Sequence, residues 1–229
     1  MSSSSTTNDF TILCVCAGNI HRSALAEALL ETWAEWYLPG EARARVHVES
    51  AGLIAEPGVP MGKKARELAS ALGAQDRPRT ATTLTDRLVA DADIVLTATR
   101  RQAEEIVRRV PAALRTTFTM REAGRIAHLM AVEDGRDLSR APAALRTVVA
   151  EMADRRHPST LDEDDVIDPQ GKGDEAYLAM TEQEVPALAA VGLLLFGMSS
   201  GDLDAYVRAA SDPALLLERA AAESHGTRG

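Results

Sequence analysis

Cys16 and Arg22 lie six positions apart, between an apolar run and a helical pattern. Residues 10–15, Phe-Thr-Ile-Leu-Cys-Val, predict a short buried strand. Residues 23–37 carry Leu25, Ala28, Leu29, Thr32 and Trp33 at helical spacing, and Pro39-Gly40 stops that pattern. The connection Cys16-Ala17-Gly18-Asn19-Ile20-His21-Arg22-Ser23 must therefore turn tightly from a strand into a helix. A strand that feeds a helix so directly is the opening unit of a parallel sheet covered by helices.

The residues of this loop suit one chemistry. A tight loop can turn successive backbone N–H groups inward to make an anion-binding nest. The following helix start adds unpaired N–H groups and partial positive charge. The backbone of Ala17, Gly18, Asn19, Ile20, His21, Arg22 and Ser23 would cradle a phosphate, and the planar fork of Arg22 would grip two of its oxygens. The same positive field would depress the pKa of Cys16 and make it a nucleophilic thiolate. Gly18 would let the backbone approach the anion, and Asn19 tolerates a left-handed turn. Ser23 could donate a hydrogen bond to the Cys16 sulfur and improve it as a leaving group. The spacing alone is weak evidence, since Cys16 could be a small core residue and Arg22 a solvated one. The strand–loop–helix frame and the Gly-Asn pair favour a phosphocysteine chemistry.

The rest of the chain alternates in the same way. Strands are predicted at 46–50, 93–97 and 116–119, and helices at 61–72, 100–110, 121–130 and 138–152. The apolar run 185–198 contains Pro186, Gly192 and Gly197 and is too short to span a membrane, so it reads as a core helix. The expected fold is α/β and three-layered: a central four-stranded parallel sheet, helices on both faces, and the phosphate loop at the end of the first strand. Residues 1–8 read as a disordered tail rather than a signal peptide, 9–200 as the catalytic domain, and 201–229 as a helical extension with a tail. The cluster Arg155-Arg156-His157-Pro158 reads as solvated surface.

Charge and cysteine content narrow the class. A net charge of −9 and a pI near 5.1 argue against nucleic acid and anionic membranes as partners. The two cysteines, Cys14 and Cys16, are badly placed to bridge each other on one strand, which suits a reducing, cytoplasmic location.

A phosphocysteine cycle also needs an acid that protonates the leaving oxygen and later deprotonates water. Asp168, in Val166-Ile167-Asp168-Pro169, is the candidate, since Pro169 restrains the residue before it. The upstream run Asp162-Glu163-Asp164-Asp165 would raise its pKa and favour the protonated form. Against this, an Asp-Pro pair often does no more than start a turn.

The loop from Cys16 to Ser23 resembles the low-molecular-weight protein tyrosine phosphatase family, whose signature is C-x-G-N-x-[C]-R-S-P. Val48-Glu49-Ser50-Ala51-Gly52 is similar to that family's second strand, and Val166-Ile167-Asp168-Pro169 with Tyr177 is similar to its late acid loop. The resemblance implies Cys16 as nucleophile, Arg22 as phosphate clamp, Asp168 as general acid, and Asn19, Ser23 and Ser50 as loop supports. It implies no metal and no cofactor.

The chain departs from that pattern in several places. Ala24 stands where the family has proline, and His21 where many members have a second loop cysteine, which removes their protective disulfide. The family's usual loop-buttressing histidine is replaced near Arg79. Gln170-Gly171 follow Asp-Pro where ring-flanking aromatics are usual, and aromatic residues are only 3% of the chain. Three substrates therefore stay open: a phosphotyrosine protein, a small phosphate monoester, and arsenate reduced with a low-molecular-weight thiol. Retention of Cys16 and Asp168 argues against a binding-only pseudophosphatase.

Overall fold

In the computed structural model, residues 8–134, 140–159, 161–212 and 216 are described. The expected helix starts at 138–139, and the expected tails at 1–7 and 217–229, fall outside them.

Four parallel strands form the sheet: β1 (Phe10–Cys16), β2 (Val46–Gly52), β3 (Ile94–Thr97) and β4 (Thr117–Thr119), in the order β2-β1-β3-β4. Helices α1 (Arg22–Tyr37), α2 (Gly40–Arg43), α3 (Lys63–Ala71), α4 (Asp86–Asp91) and α5 (Arg100–Arg109) alternate with the first strands. Helices α6 (Met120–Asp134), α7 (Pro142–Asp154), α8 (Leu161–Asp164), α9 (Asp174–Phe196) and α10 (Ser200–Ala210) follow β4.

The pleat of β1 explains the layers. Phe10, Ile12, Cys14 and Cys16 point into a core shared with α1, α3, α6, α7, α9 and α10. Leu13 and Val15 point the other way, toward Leu84, Val89, Ile106 and Ala113 around α4 and α5. A strand buried on both faces must be apolar throughout, which is why residues 10–15 read as a continuous apolar run. Its parallel pairing with both β2 and β3 carries Cys16 to the carboxyl edge of the sheet, level with Gly52.

Two sequence expectations change. The helix expected over 185–198 begins at Asp174 and continues through Pro186. Val185, Leu188, Val191, Leu194 and Leu195 are all buried, so packing offsets the roughly 3 kcal/mol that an interior proline costs. At 23 residues, α9 is long and apolar enough to cross a membrane, yet most of its apolar surface is buried in the core. The basic cluster at 155–158 is also not simply solvated. Arg156 stacks on the Phe118 ring at 4.0 Å and donates to the carbonyls of Leu114 (2.8 Å) and Thr117, so it covers the edge strand β4. The short helix α4 and the 3-10 turn Pro111–Arg115 carry no apolar periodicity long enough to read from sequence.

Candidate active site

The loop after β1 has the left-handed turn at Asn19, whose φ is 55°. That matches the tolerance of Asn for this region and relieves Gly18 of the role, since Gly18 has no positive φ. The strained geometry is then held by hydrogen bonds. Asn19 N–H donates to Cys16 Sγ at 3.2 Å, and Asn19 Nδ2 donates to Ser23 Oγ (2.9 Å) and Ser50 Oγ (2.7 Å). Asn19 Oδ1 accepts from the Thr82 amide at 2.8 Å. Ser23 Oγ lies 3.0 Å from Cys16 Sγ. The expected supports Asn19, Ser23 and Ser50 are thus joined around the sulfur.

Several supports were not legible beforehand. Gly52 is required by close approach: a Cβ there would lie 2.5 Å from the Ala17 carbonyl and 2.9 Å from the Asn19 nitrogen. Leu53 N–H donates to Cys16 O and Ile54 N–H to Ala17 O, at 3.0 and 2.9 Å, so the chain leaving β2 lines the loop. Behind Ser50 stand Glu27, which accepts its hydroxyl, and Arg79, which pairs with Glu27 (3.6 Å) and Glu31 (2.5 Å). Burial raises the Glu27 carboxyl above its ordinary range, and the Ser50 hydroxyl and Arg79 pull it back. Arg79 therefore buttresses the loop through Glu27 and Ser50.

Arg22 is buried, with a side chain only 5% exposed. Its Nη1 donates to the Val166 carbonyl at 3.1 Å, and its Nη2 pairs with Asp168 Oδ2 at 2.6 Å. The two residues are 146 positions apart in sequence, and the fold brings them together as an ion pair. Asp168 is itself half exposed. Its other oxygen, Oδ1, accepts from the Gln170 amide at 3.1 Å. The upstream acidic run has other partners. Asp164 is buried and held by Arg100, Arg125 and Ser159, and Asp165 accepts from the Arg100 amide at 2.7 Å. Burial pushes the Asp164 carboxyl up, but those donors outweigh it and hold the pKa below 3.8.

Two further side chains close this side. His21 Nε2 lies 2.7 Å from Gln170 Oε1 and 3.3 Å from the Tyr177 hydroxyl. Lys64 pairs with Asp174 and sits 5.6 Å from the Tyr177 ring. Tyr177, in the first turns of α9, thus brings an aromatic ring beside the acid loop even though none follows Pro169 directly.

A cysteine cradled at a helix start, an arginine clamp and a carboxyl within 2.6 Å of it define a cysteine-dependent phosphatase on a parallel α/β sheet. Residues 11–157 match the family model described as low molecular weight phosphotyrosine protein phosphatase, and the chain belongs to that family. The match stops short of Asp168. Over 112 residues the chain is 39% identical to a protein of Ralstonia nicotianae named as a probable low molecular weight protein-tyrosine-phosphatase, EpsP, covering 49% of this chain and 71% of that one. The YwlE arginine phosphatase from Geobacillus stearothermophilus has a similar structure, with a TM-score of 0.53 and 27% identity over 80% of this chain and 90% of that one. The tyrosine phosphatase Wzb from Escherichia coli K30, in complex with sulphate, shares the fold at a TM-score of 0.54 and 21% identity, over 81% and 97%.

Proposed function

We propose that the protein hydrolyses phosphotyrosine in phosphorylated proteins, with Cys16, Arg22 and Asp168 in the roles of nucleophile, clamp and acid. The observation that carries this is the meeting of Asp168 with Arg22 at 2.6 Å, in a loop whose cysteine sulfur accepts a backbone N–H. Arg22 and the loop amides hold the phosphate, and the Cys16 sulfur attacks phosphorus in line with the leaving oxygen. The P–O bond breaks as the P–S bond forms, and Asp168 gives its proton to the leaving phenoxide. Asp168 then takes a proton from water, whose oxygen attacks phosphorus and releases Cys16 and inorganic phosphate.

Phosphotyrosine is favoured by the Tyr177 ring beside the acid loop, by exposed Ile54 next to the phosphate loop, and by the name of the Ralstonia relative. The Geobacillus relative makes phosphoarginine the natural comparator. The two free cysteines suit a reducing compartment, and a cytoplasmic location is part of this reading.

The test is a kinetic panel of phosphotyrosine peptides, phosphoarginine peptides, sugar phosphates and arsenate. Highest kcat/KM on phosphotyrosine is expected; preference for any other member overturns the substrate. Cys16→Ser should abolish turnover while still binding vanadate. Asp168→Asn should slow phenyl phosphate by about a hundredfold or more and p-nitrophenyl phosphate much less, because a poor leaving group depends more on the acid. Equal losses on both would remove Asp168 from its role.

A further inference from the structure

His21 belongs to the phosphate loop by sequence, but its imidazole reaches across to the acid loop. The ring is 8% exposed and fits between the start of α3 and the first turns of α9. On one side lies Gly62, whose amide donates to Ile20 O at 2.8 Å. A Cβ on Gly62 would come within 2.6 Å of His21 Nδ1, so the slot exists only because residue 62 is glycine. On the other side the ring meets Tyr177 edge-on, with centroids 5.2 Å apart at 87°. Nδ1 is buried with no partner among the described residues, whereas Nε2 faces the amide oxygen of Gln170 at 2.7 Å. An amide oxygen can only accept, so Nε2 carries the hydrogen of this bond.

Gln170 is bound at both ends. Its side chain accepts from His21, and its backbone N–H donates to Asp168 Oδ1 at 3.1 Å. The other Asp168 oxygen pairs with Arg22. Both oxygens of Asp168 are thus held by adjacent residues of one loop, directly by Arg22 and through Gln170 by His21. Gly171, at φ 72°, lets the chain turn, and the Lys172 amide closes that turn by donating to the Pro169 carbonyl at 3.0 Å; neither restraint reaches the Gln170 side chain.

We propose that His21 is a positioning residue for the general acid: its hydrogen bond to Gln170 fixes the turn after Pro169, and with it the carboxyl of Asp168, over the phosphate loop. The inference rests on Asp168 being the acid. Ion pairing with Arg22 alone leaves Asp168 free to pivot about one bond; the second hold sets its direction toward the leaving oxygen. Misplacing a catalytic group by about 1 Å can cost on the order of a hundredfold in rate.

The experiment compares His21→Ala, His21→Gln, Gln170→Ala and the His21→Ala/Gln170→Ala double variant on two aryl phosphates. His21→Ala and Gln170→Ala should each lower kcat on phenyl phosphate about tenfold and on p-nitrophenyl phosphate less than about threefold, a fraction of the whole acid contribution. Inhibition by inorganic phosphate should be unchanged in Gln170→Ala, because the loop amides and Arg22 are untouched. The double variant should be no worse than either single, since both remove one bond. His21→Gln, which can present an N–H at similar reach, should recover most of the loss. Parallel losses on both substrates, additive losses in the double variant, or no loss at all in Gln170→Ala would each overturn the proposal. Gln170 is exposed, so its variant carries the test even if His21→Ala fails to fold. If Asp168→Asn shows no dependence on leaving group, the acid assignment falls; if it does and Gln170→Ala does not, only the positioning role falls.

Discussion

Glu184 shows how a single residue can couple the site to pH. It is fully buried on α9, and neither carboxyl oxygen has a hydrogen-bond partner among the described residues. Burial raises its pKa well above 4.5, opposed only by the charge of Arg22 from α1. Cys14 faces it from β1, and burial pushes that thiol up as well, with Glu27, Glu184 and Cys16 adding to the shift. In the fold Glu184 holds its proton to higher pH than in the unfolded chain, which releases it above about pH 4.3. The folded state thus binds the extra proton, and stability falls as pH rises from the unfolded value toward the folded one. Glu184→Gln should therefore raise the melting temperature at pH 8, with the gain shrinking toward zero near pH 4. A gain that stays constant across that range would mean the carboxyl is already ionised in the fold.

At the level of elements, the α6–α9 crossing depends on a single glycine. Gly124 on α6 lies so close to α9 that a Cβ would sit 2.5 Å from Ala187 Cα and 2.7 Å from its Cβ. The obstacle is backbone, which cannot rotate away. Gly124→Ala should force the helices apart and destabilise the fold by about 1–3 kcal/mol, despite the better helix propensity of alanine. Urea unfolding checks this; an unchanged or raised midpoint would contradict it. The same crossing shows why Pro186 misleads. Read locally, it interrupts an apolar run, yet beside Ala187 it sits inside a helix whose apolar side chains are buried against α1, α6 and α10. Short elements such as α4 escape local reading for the opposite reason: six residues are too few for a period to show.

Across the whole molecule, the stretch from β4 to α9 must return the chain to the first strand. Asp164 pins that return by bonding Arg100 of α5, Arg125 of α6 and Ser159. Its side chain is 4% exposed, whereas those of Arg100 and Arg125 are 31% and 42% exposed, so the carboxyl is shielded but the guanidinium groups reach solvent. Asp164→Asn should cost about 1–2 kcal/mol at neutral pH, because it removes the charge that two partly solvated guanidinium groups share. Since the folded pKa lies below 3.8, the contribution is present above that value and lost as pH falls through the folded one. The gap in melting temperature between parent and variant should narrow as pH falls below the unfolded carboxylate range, and a gap that stays constant on acidification would place the effect in packing rather than charge.

The sequence by itself determined the unit β1–loop–α1 and the parallel sheet, and it singled out Cys16 and Arg22 as candidates; Asp168 stood out only through the family resemblance. These follow from local properties: an apolar run buried on both faces, helical spacing, and residue types that suit a phosphate. Tertiary structure alone decided that Asp168 stands 2.6 Å from Arg22, that His21 holds Gln170, and that Gly52 and Gly62 must lack side chains. Those contacts join segments up to 149 positions apart, and no local period or propensity encodes which of them meet. Only the burial of the layers on either side of β1 brings the acid loop onto the phosphate loop.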